Sequence, residues 1–276
     1  MTFWGVRGSI AVPGPDTVRY GGNTPCVSLK TSASALFIFD AGTGIRNLGK
    51  LISSREEATE AILLLSHSHW DHIQGFPLFA PAYRKDFCLK VLGNPAHPTS
   101  LQEILRQQMD TVVWPTPLEA LTAKIEIGDY CIDKATYDEV SLQTLHLNHP
   151  GGSCGFRIQD QGKSFIYMTD NELPSPRSEG WEKFVDYCRN ADMLVHDAQY
   201  TDEELPQHKG WGHSSVTQAV RLAIDAGVKR LALFHHDPDR TDDDLDKIIV
   251  DCNQFVLEEK GSLKVFAAVE GQIERI

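Results

Sequence analysis

Residues 67–72 read HSHWDH, which sets three histidines and an aspartate within six positions. Imidazole nitrogen and carboxylate oxygen at that density form the donor set of divalent ions of borderline softness, zinc foremost. Along an extended chain His67, His69 and Asp71 point to one side, because alternate residues share a face. His72 breaks that alternation and requires a bend to bring it alongside. The bland alternative is a hydrogen-bonded loop of unrelated histidines, and a lone histidine would merit it. Four donors directly behind an apolar run, AILLLS at 61–66, point to a metal instead.

A two-ion site needs about six or seven donor groups, so further ligands must come from elsewhere. His146 and His149 follow SLQTL, Asp170 follows FIYM, and His235 and His236 follow LALF. Each stands at the C-terminal end of an apolar run, where sites on mixed sheets assemble. Taken singly, Asp170 is an ordinary turn aspartate and His236 a helix-entry residue; the shared placement is what makes them candidates.

The elements that must carry these residues can be read from periodicity. Period-two character predicts a hairpin over 26–31 and 34–40, and AILLLS reads as a buried strand. Strands are predicted at 87–94, 123–127, 130–137, 140–147, 154–160, 163–168 and 193–195, with the run from 123 to 168 resembling an antiparallel meander. KRLALF and 263–269 add two more. Helical spacing predicts helices over 45–56, 179–190, 214–226 and 242–260, and another from Leu101 with Ser100 or Thr99 as its cap. Strands mixed with helices in both halves, and no low-complexity linker between them, predict one α/β or α+β domain over 1–276, its sheets covered by helices.

Composition bounds the function. Apolar residues make up 41% and charged residues 23%, a globular balance. With 38 acidic residues against 26 Lys and Arg, the formal charge is −12, which disfavours a large nucleic acid or an anionic membrane as partner. No apolar run approaches the roughly 20 residues of a membrane span. The start, MTFWGVRGSI, has no signal-peptide pattern, and the six cysteines, Cys26, Cys88, Cys131, Cys154, Cys188 and Cys252, form no C-x-x-C pair. A cytoplasmic protein with reduced thiols is the expectation.

HSHWDH resembles the H-x-H-x-D-H signature of the metallo-β-lactamase superfamily, and the upstream FIFDAGTGI is similar as well. The run from His149 to Arg157 resembles the H-x-x-x-S-x-G-[YF]-R pattern of the ribonuclease Z and cyclic-phosphodiesterase branch. The resemblance extends from about residue 3 to the C-terminus. It implies a four-layer αββα sandwich of two mixed β-sheets flanked by helices, and two divalent ions: zinc first, with manganese, iron or cobalt compatible. His67, His69 and His149 would hold one ion; Asp71, His72 and His235 the other; Asp170 would bridge both. It prefers His149 to His146, and His235 to His236, which would face substrate. Asp40 would order the ligand loop.

VHDAQYTDEE at 195–204 and GHSS at 212–215 resemble two further elements of ribonuclease Z and its relatives, in which a histidine supported by an acid sits near the departing oxygen. His213 and Asp197 match, with Asp where the relatives usually have Glu. The implied chemistry is attack on a phosphodiester by a hydroxide shared between the ions, with Asp71 orienting the water or taking its proton and His213 assisting the leaving group. A small, cyclic phosphodiester, such as a cyclic nucleotide or a phosphoribosyl cyclic phosphate, is the expected substrate, because no glycine-rich basic arm for tRNA is visible. Arg7, Arg19 and Arg157 are the cations expected near the phosphate, with Tyr20, Asn23 and Thr24 lining the same pocket. A lactone or ester hydrolase, a ribonuclease Z-like nuclease, and a metal-binding sensor or structural protein are the competing readings. Relatives suggest a homodimer, with the segment around Trp114 as contact surface.

Overall fold

The computed structural model describes the chain apart from residues 56–57, 131–133, 138–139 and 260. Cys131 and parts of the spans 45–56, 130–137 and 242–260 therefore lie outside the described residues.

Among the described residues, the first sheet has six strands in sequence order: β1 (Thr2–Gly5), β2 (Cys26–Lys30), β3 (Leu36–Phe39), β4 (Glu60–Leu64), β5 (Cys88–Gly93) and β6 (Lys124–Asp129). The first three are antiparallel, and β3 to β6 run parallel. Parallel neighbours need crossovers. Helix α1 (Ile45–Arg55) supplies one between β3 and β4, and α3 (Leu101–Gln108) lies in the one between β5 and β6; between them α2 (Trp70–Ile73) is a single helical turn. Ser100 caps α3 by accepting from the backbone N–H of Glu103.

The second sheet has seven strands: β7 (Lys134–Tyr137), β8 (Val140–Leu147), β9 (Ser153–Asp160), β10 (Lys163–Met168), β11 (Met193–Asp197), β12 (Arg230–Phe234) and β13 (Lys264–Ala267). From β7 to β10 they alternate in direction, and from β10 to β13 they are parallel. Helices α4 (Trp181–Cys188), α5 (Val216–Asp225) and α6 (Asp242–Glu258) make the crossovers. Ser215 and Thr241 cap α5 and α6 with reciprocal capping boxes.

Period-two alternation sorts each strand's side chains between two layers. Phe37 and Phe39 face inward to meet Phe156, Phe165 and Tyr167 of the second sheet, while Ile38 faces outward among the side chains of α1 and α3. Likewise Phe165 and Tyr167 point into the sandwich, and Ile166 and Met168 point to α4 and α5. Helices, sheet, sheet, helices: the αββα sandwich implied by the resemblance is the observed architecture. Among the described residues no helix is long and apolar enough to cross a membrane.

Three local readings change. The segment 123–127 does not open the meander; it becomes β6, parallel to β5 in the other sheet, and the meander is confined to β7–β10. The strand at 193–195 continues through His196 and Asp197, both fully buried. The chain past β4 does not stay extended to Asp71, because His69 already serves as the N-cap of α2.

Trp181 is wholly buried at the start of α4, and its indole N–H donates to Asp225 of α5 at 3.0 Å. Trp181→Ala is expected to cost about 3–5 kcal/mol, read from urea unfolding; a loss under 1 kcal/mol would mean that this helical layer contributes little.

Candidate metal centre

The ligand residues converge because their strands end on one edge of the sandwich. The loop after β4 carries His67, His69, Asp71 and His72; His149 follows β8, Asp170 follows β10 and His235 follows β12. Residues from both sheets thus meet at one point. Ligand atoms of His67, His69, His149 and Asp170 lie within 4.8 Å of one another, as do those of Asp71, His72 and His235. Asp170 joins the two groups. Its Oδ2 is 3.6 Å from Nε2 of both His67 and His149, and its Oδ1 is 3.3 Å from Nε2 of both His72 and His235. His146, on the exposed side of β8, lies outside both groups.

The surrounding hydrogen bonds decide where each ring carries its lone pair. His149 Nδ1 donates to the Gly212 carbonyl at 3.0 Å, His235 Nδ1 to Gln199 Oε1 at 3.0 Å, and His72 Nδ1 to Asp40 Oδ2 at 2.8 Å. A donor at Nδ1 leaves the lone pair on Nε2, the nitrogen facing Asp170. Asp40 is the hub of this shell: it also accepts from the backbone N–H and hydroxyl of Ser66 and from Tyr167 OH. Ser66 Oγ in turn lies 3.1 Å from His67 Nδ1. Asp71 accepts from the Ser9 backbone N–H at 2.8 Å.

Burial lowers the basicity of His72, but the carboxylates of Asp71, Asp170 and Asp40 outweigh it and raise its pKa well above the ordinary value, so the centre draws positive charge. Burial disfavours charge on Asp170, but His235, His72 and His67 outweigh it and hold the carboxyl well below its ordinary range. His67 is pushed well below its usual value by burial and by the neighbouring imidazole of His72. Its Nε2 and that of His72 are buried without a hydrogen-bond partner among the described residues. Nε2 of His149 lies 2.9 Å from His69 Nδ1, two ring nitrogens aimed at one place. Buried, unpaired imidazole nitrogens around shared carboxylates fit a divalent cation pair: His67, His69 and His149 on one side, Asp71, His72 and His235 on the other, Asp170 between.

The family model described as "Beta-lactamase superfamily domain" matches residues 36–236. The chain belongs to the metallo-β-lactamase superfamily. It is 37% identical over 157 residues to a protein named ribonuclease Z from Thermoplasma volcanium, a match covering 56% of this chain and 47% of that one. The matched stretch thus spans about half of that relative's length. Among solved structures, the metallo-β-lactamase fold protein YhfI from Bacillus subtilis superposes with a TM-score of 0.68 at 21% identity, covering 98% of this chain and 96% of its own. A diphosphatase from the PhnP family gives 0.68 at 16% identity, covering 100% and 97%. At those identities the likeness is one of fold.

Next to the cluster, His213 Nδ1 is 3.0 Å from Asp197 Oδ2, and its ring stacks on His235 at 5.0 Å. Burial lowers its basicity, but the hydrogen bond to Asp197 and the charges of Asp170, Asp197 and Asp71 outweigh it and raise its pKa. Its ligand atom also groups with Asp170 and His235.

The residues expected to bind phosphate are engaged elsewhere. Arg7 is fully buried, with its guanidinium donating to the carbonyls of Gly21, Asp237 and Arg240. Arg19 pairs with Asp243 and Asp246 on α6, and Tyr20 OH donates to Asp246. Asn23 bonds Glu270, Thr24 bonds Thr43, and Arg157 donates to the carbonyls of Tyr187 and Arg189 behind α4. His236 turns inward to the Ala268 carbonyl, and burial pushes its pKa down to about 3. The structure brings none of these side chains into the ligand groups; their partners are structural. Of the remaining histidines, His196 bonds its neighbour's carbonyl and His208 stacks on Tyr200.

Periodicity gave no signal for Gln199, Ser66, Tyr167 or the Ser9 amide, which orient the ligands through partners far away in sequence. The two glycines that flank the centre are more telling. A Cβ at Gly8 would sit 2.3 Å from His235 Nδ1, and one at Gly212 would sit 2.1 Å from His149 Nδ1. Only a bare backbone fits against either ring.

Two outcomes test this assignment by elemental analysis of gel-filtered protein. Asp170→Ala should fall well below the roughly two ions per chain expected of the parent. Asp40→Ala, which touches no ion, should weaken metal affinity about 10–100-fold; wild-type metal retention in both variants would contradict the assignment.

Proposed function

We propose that the chain is a dinuclear metal-dependent phosphodiesterase acting on a small, cyclic phosphodiester. The observation that carries this reading is the Asp197–His213 pair beside the Asp170 bridge: an acid–base group oriented at the edge of a two-ion donor set. Zinc suits the donors best, with manganese, iron or cobalt also suited. When bound, such ions supply Lewis acidity to the phosphoryl oxygens and lower the pKa of coordinated water.

The protein's own groups do the rest. Asp197 occupies Nδ1 of His213, so Nε2 is left to face substrate. With its pKa raised, His213 carries the proton that the departing alkoxide needs as the P–O ester bond breaks. Asp71, held by the Ser9 backbone N–H, orients the attacking water and accepts its proton. Of the five histidines and two carboxylates in the donor set, His72, His149 and His235 are fixed from behind by hydrogen bonds at Nδ1. The name of the 37%-identical relative supports phosphodiester chemistry. The chain's charge of −12 argues for a small substrate over long RNA.

A panel of bis-p-nitrophenyl phosphate, cyclic nucleotides and lactones, run with zinc and with manganese, should show turnover of phosphodiesters. Turnover of lactones alone would replace this reading with an esterase. His213→Ala should lower kcat about 10²–10⁴-fold on a diester with an alkyl leaving group. The loss should be far smaller with p-nitrophenolate, which leaves unaided. Loss of an ion in the same variant would make His213 a ligand and not the acid.

A further inference from the structure

The candidate centre opens to solvent on one side. His69 is exposed, whereas the imidazole of His149 is only 3% exposed and Asp71, His72, Asp170 and His235 are buried. Of the five tryptophans in the chain, Trp70 and Trp211 are the exposed ones, at 65% and 60%. Both are sequence neighbours of residues at the centre. Trp70 stands between His69 and Asp71, and Trp211 precedes Gly212, whose carbonyl holds His149.

Trp211 is not on a slack loop. Gly210 and Gly212, on either side of it, take φ of 85° and 88°, a region open to glycine at little cost. Their backbone N–H groups both donate to Glu172 Oε2, at 2.7 and 3.1 Å. Glu172 lies two residues after Asp170, so the loop is tied to the bridging ligand's own loop as well as to His149. A run of rings leads from the centre to Trp211. His213 stacks on His235 and meets Tyr200 edge-on at 6.0 Å; Tyr200 stacks on His208 at 4.2 Å; the Trp211 ring stands perpendicular to His208 at 5.0 Å. A large apolar ring is thus held in water by a preorganised turn two residues before His213, joined to it through the rings of His208 and Tyr200.

We infer that Trp211 is a stacking platform for a planar aromatic group attached to the substrate's phosphodiester, which makes a nucleobase-bearing cyclic phosphodiester the substrate class. This inference rests on the phosphodiesterase reading for its phosphate half; the platform itself rests on Trp211 and its loop. The π-face of an indole accepts any base, and base–aromatic stacking is sequence-tolerant. The platform therefore discriminates for the presence of a base, not for its identity.

The test compares adenosine cyclic monophosphate with the cyclic phosphate of methyl riboside, which has the same phosphodiester and no base, on the metal-loaded enzyme. In Trp211→Ala the ratio of kcat/KM for the first over the second should fall about tenfold or more, chiefly through KM. Trp211→Phe should retain most of the preference. An unchanged ratio in Trp211→Ala would overturn the platform and leave the phosphodiesterase reading intact. If neither compound is hydrolysed, the phosphodiesterase reading fails and a fluorescence titration decides the platform alone. Saturable quenching of tryptophan emission by adenosine cyclic monophosphate, lost in Trp211→Phe, supports it; no quenching, or equal quenching in both proteins, overturns it.

Discussion

The structure depends on one electrostatic demand: a carboxylate removed from water must be matched by positive charge or donated hydrogen bonds on every side. Asp170 is buried, with four imidazole Nε2 atoms within 3.6 Å of its two oxygens. At His149 and His235, Nδ1 donates outward to Gly212 and Gln199, which leaves the Nε2 lone pair toward the carboxylate. Lone pairs facing a carboxylate satisfy neither side. A divalent cation resolves the conflict, and the outer shell of hydrogen bonds makes sense as a device for holding the rings in the tautomer that binds one.

The backbone carries strain at the same points. Asp40, Asp170 and His235 all take positive φ, at 60°, 57° and 57°. For residues with a Cβ such conformations cost of order 1–3 kcal/mol each. Asp40 and His235 directly follow a strand and Asp170 stands two residues past one, and each turns its side chain into the centre or its supporting shell. The chain leaves the sheet by a left-handed turn where an ordinary loop would carry the side chain past the site.

Much of this was legible in the residues. Alternating apolar patterns located nearly every strand, and HSHWDH with three distant donors marked the centre. The preference for His149 over His146 came from the resemblance, and the fold gives its reason: His146 lies within β8 on its exposed side, and the turn after the strand brings His149 to the other ligands. The assignment of 123–127 to a sheet was not readable for a related reason: a half-exposed strand looks the same whether its partner is antiparallel and near or parallel and far. The arginines were misleading in another way. A guanidinium has five donors that suit phosphate and backbone carbonyls alike, and at Arg7 and Arg157 carbonyls at chain turns took them. Sequence records the donor's type, and tertiary structure supplies the acceptor.

One feature of the sandwich has a mechanical side. Asp71 comes from the first sheet and His235 from the second, 164 residues apart, yet their side chains are 3.2 Å from each other. Between their edges the two sheets face one another through apolar side chains; at this edge they meet through polar groups that tolerate little displacement. A parting of the layers at this edge would pull the donors asunder, so the candidate metal centre is also a latch between the sheets.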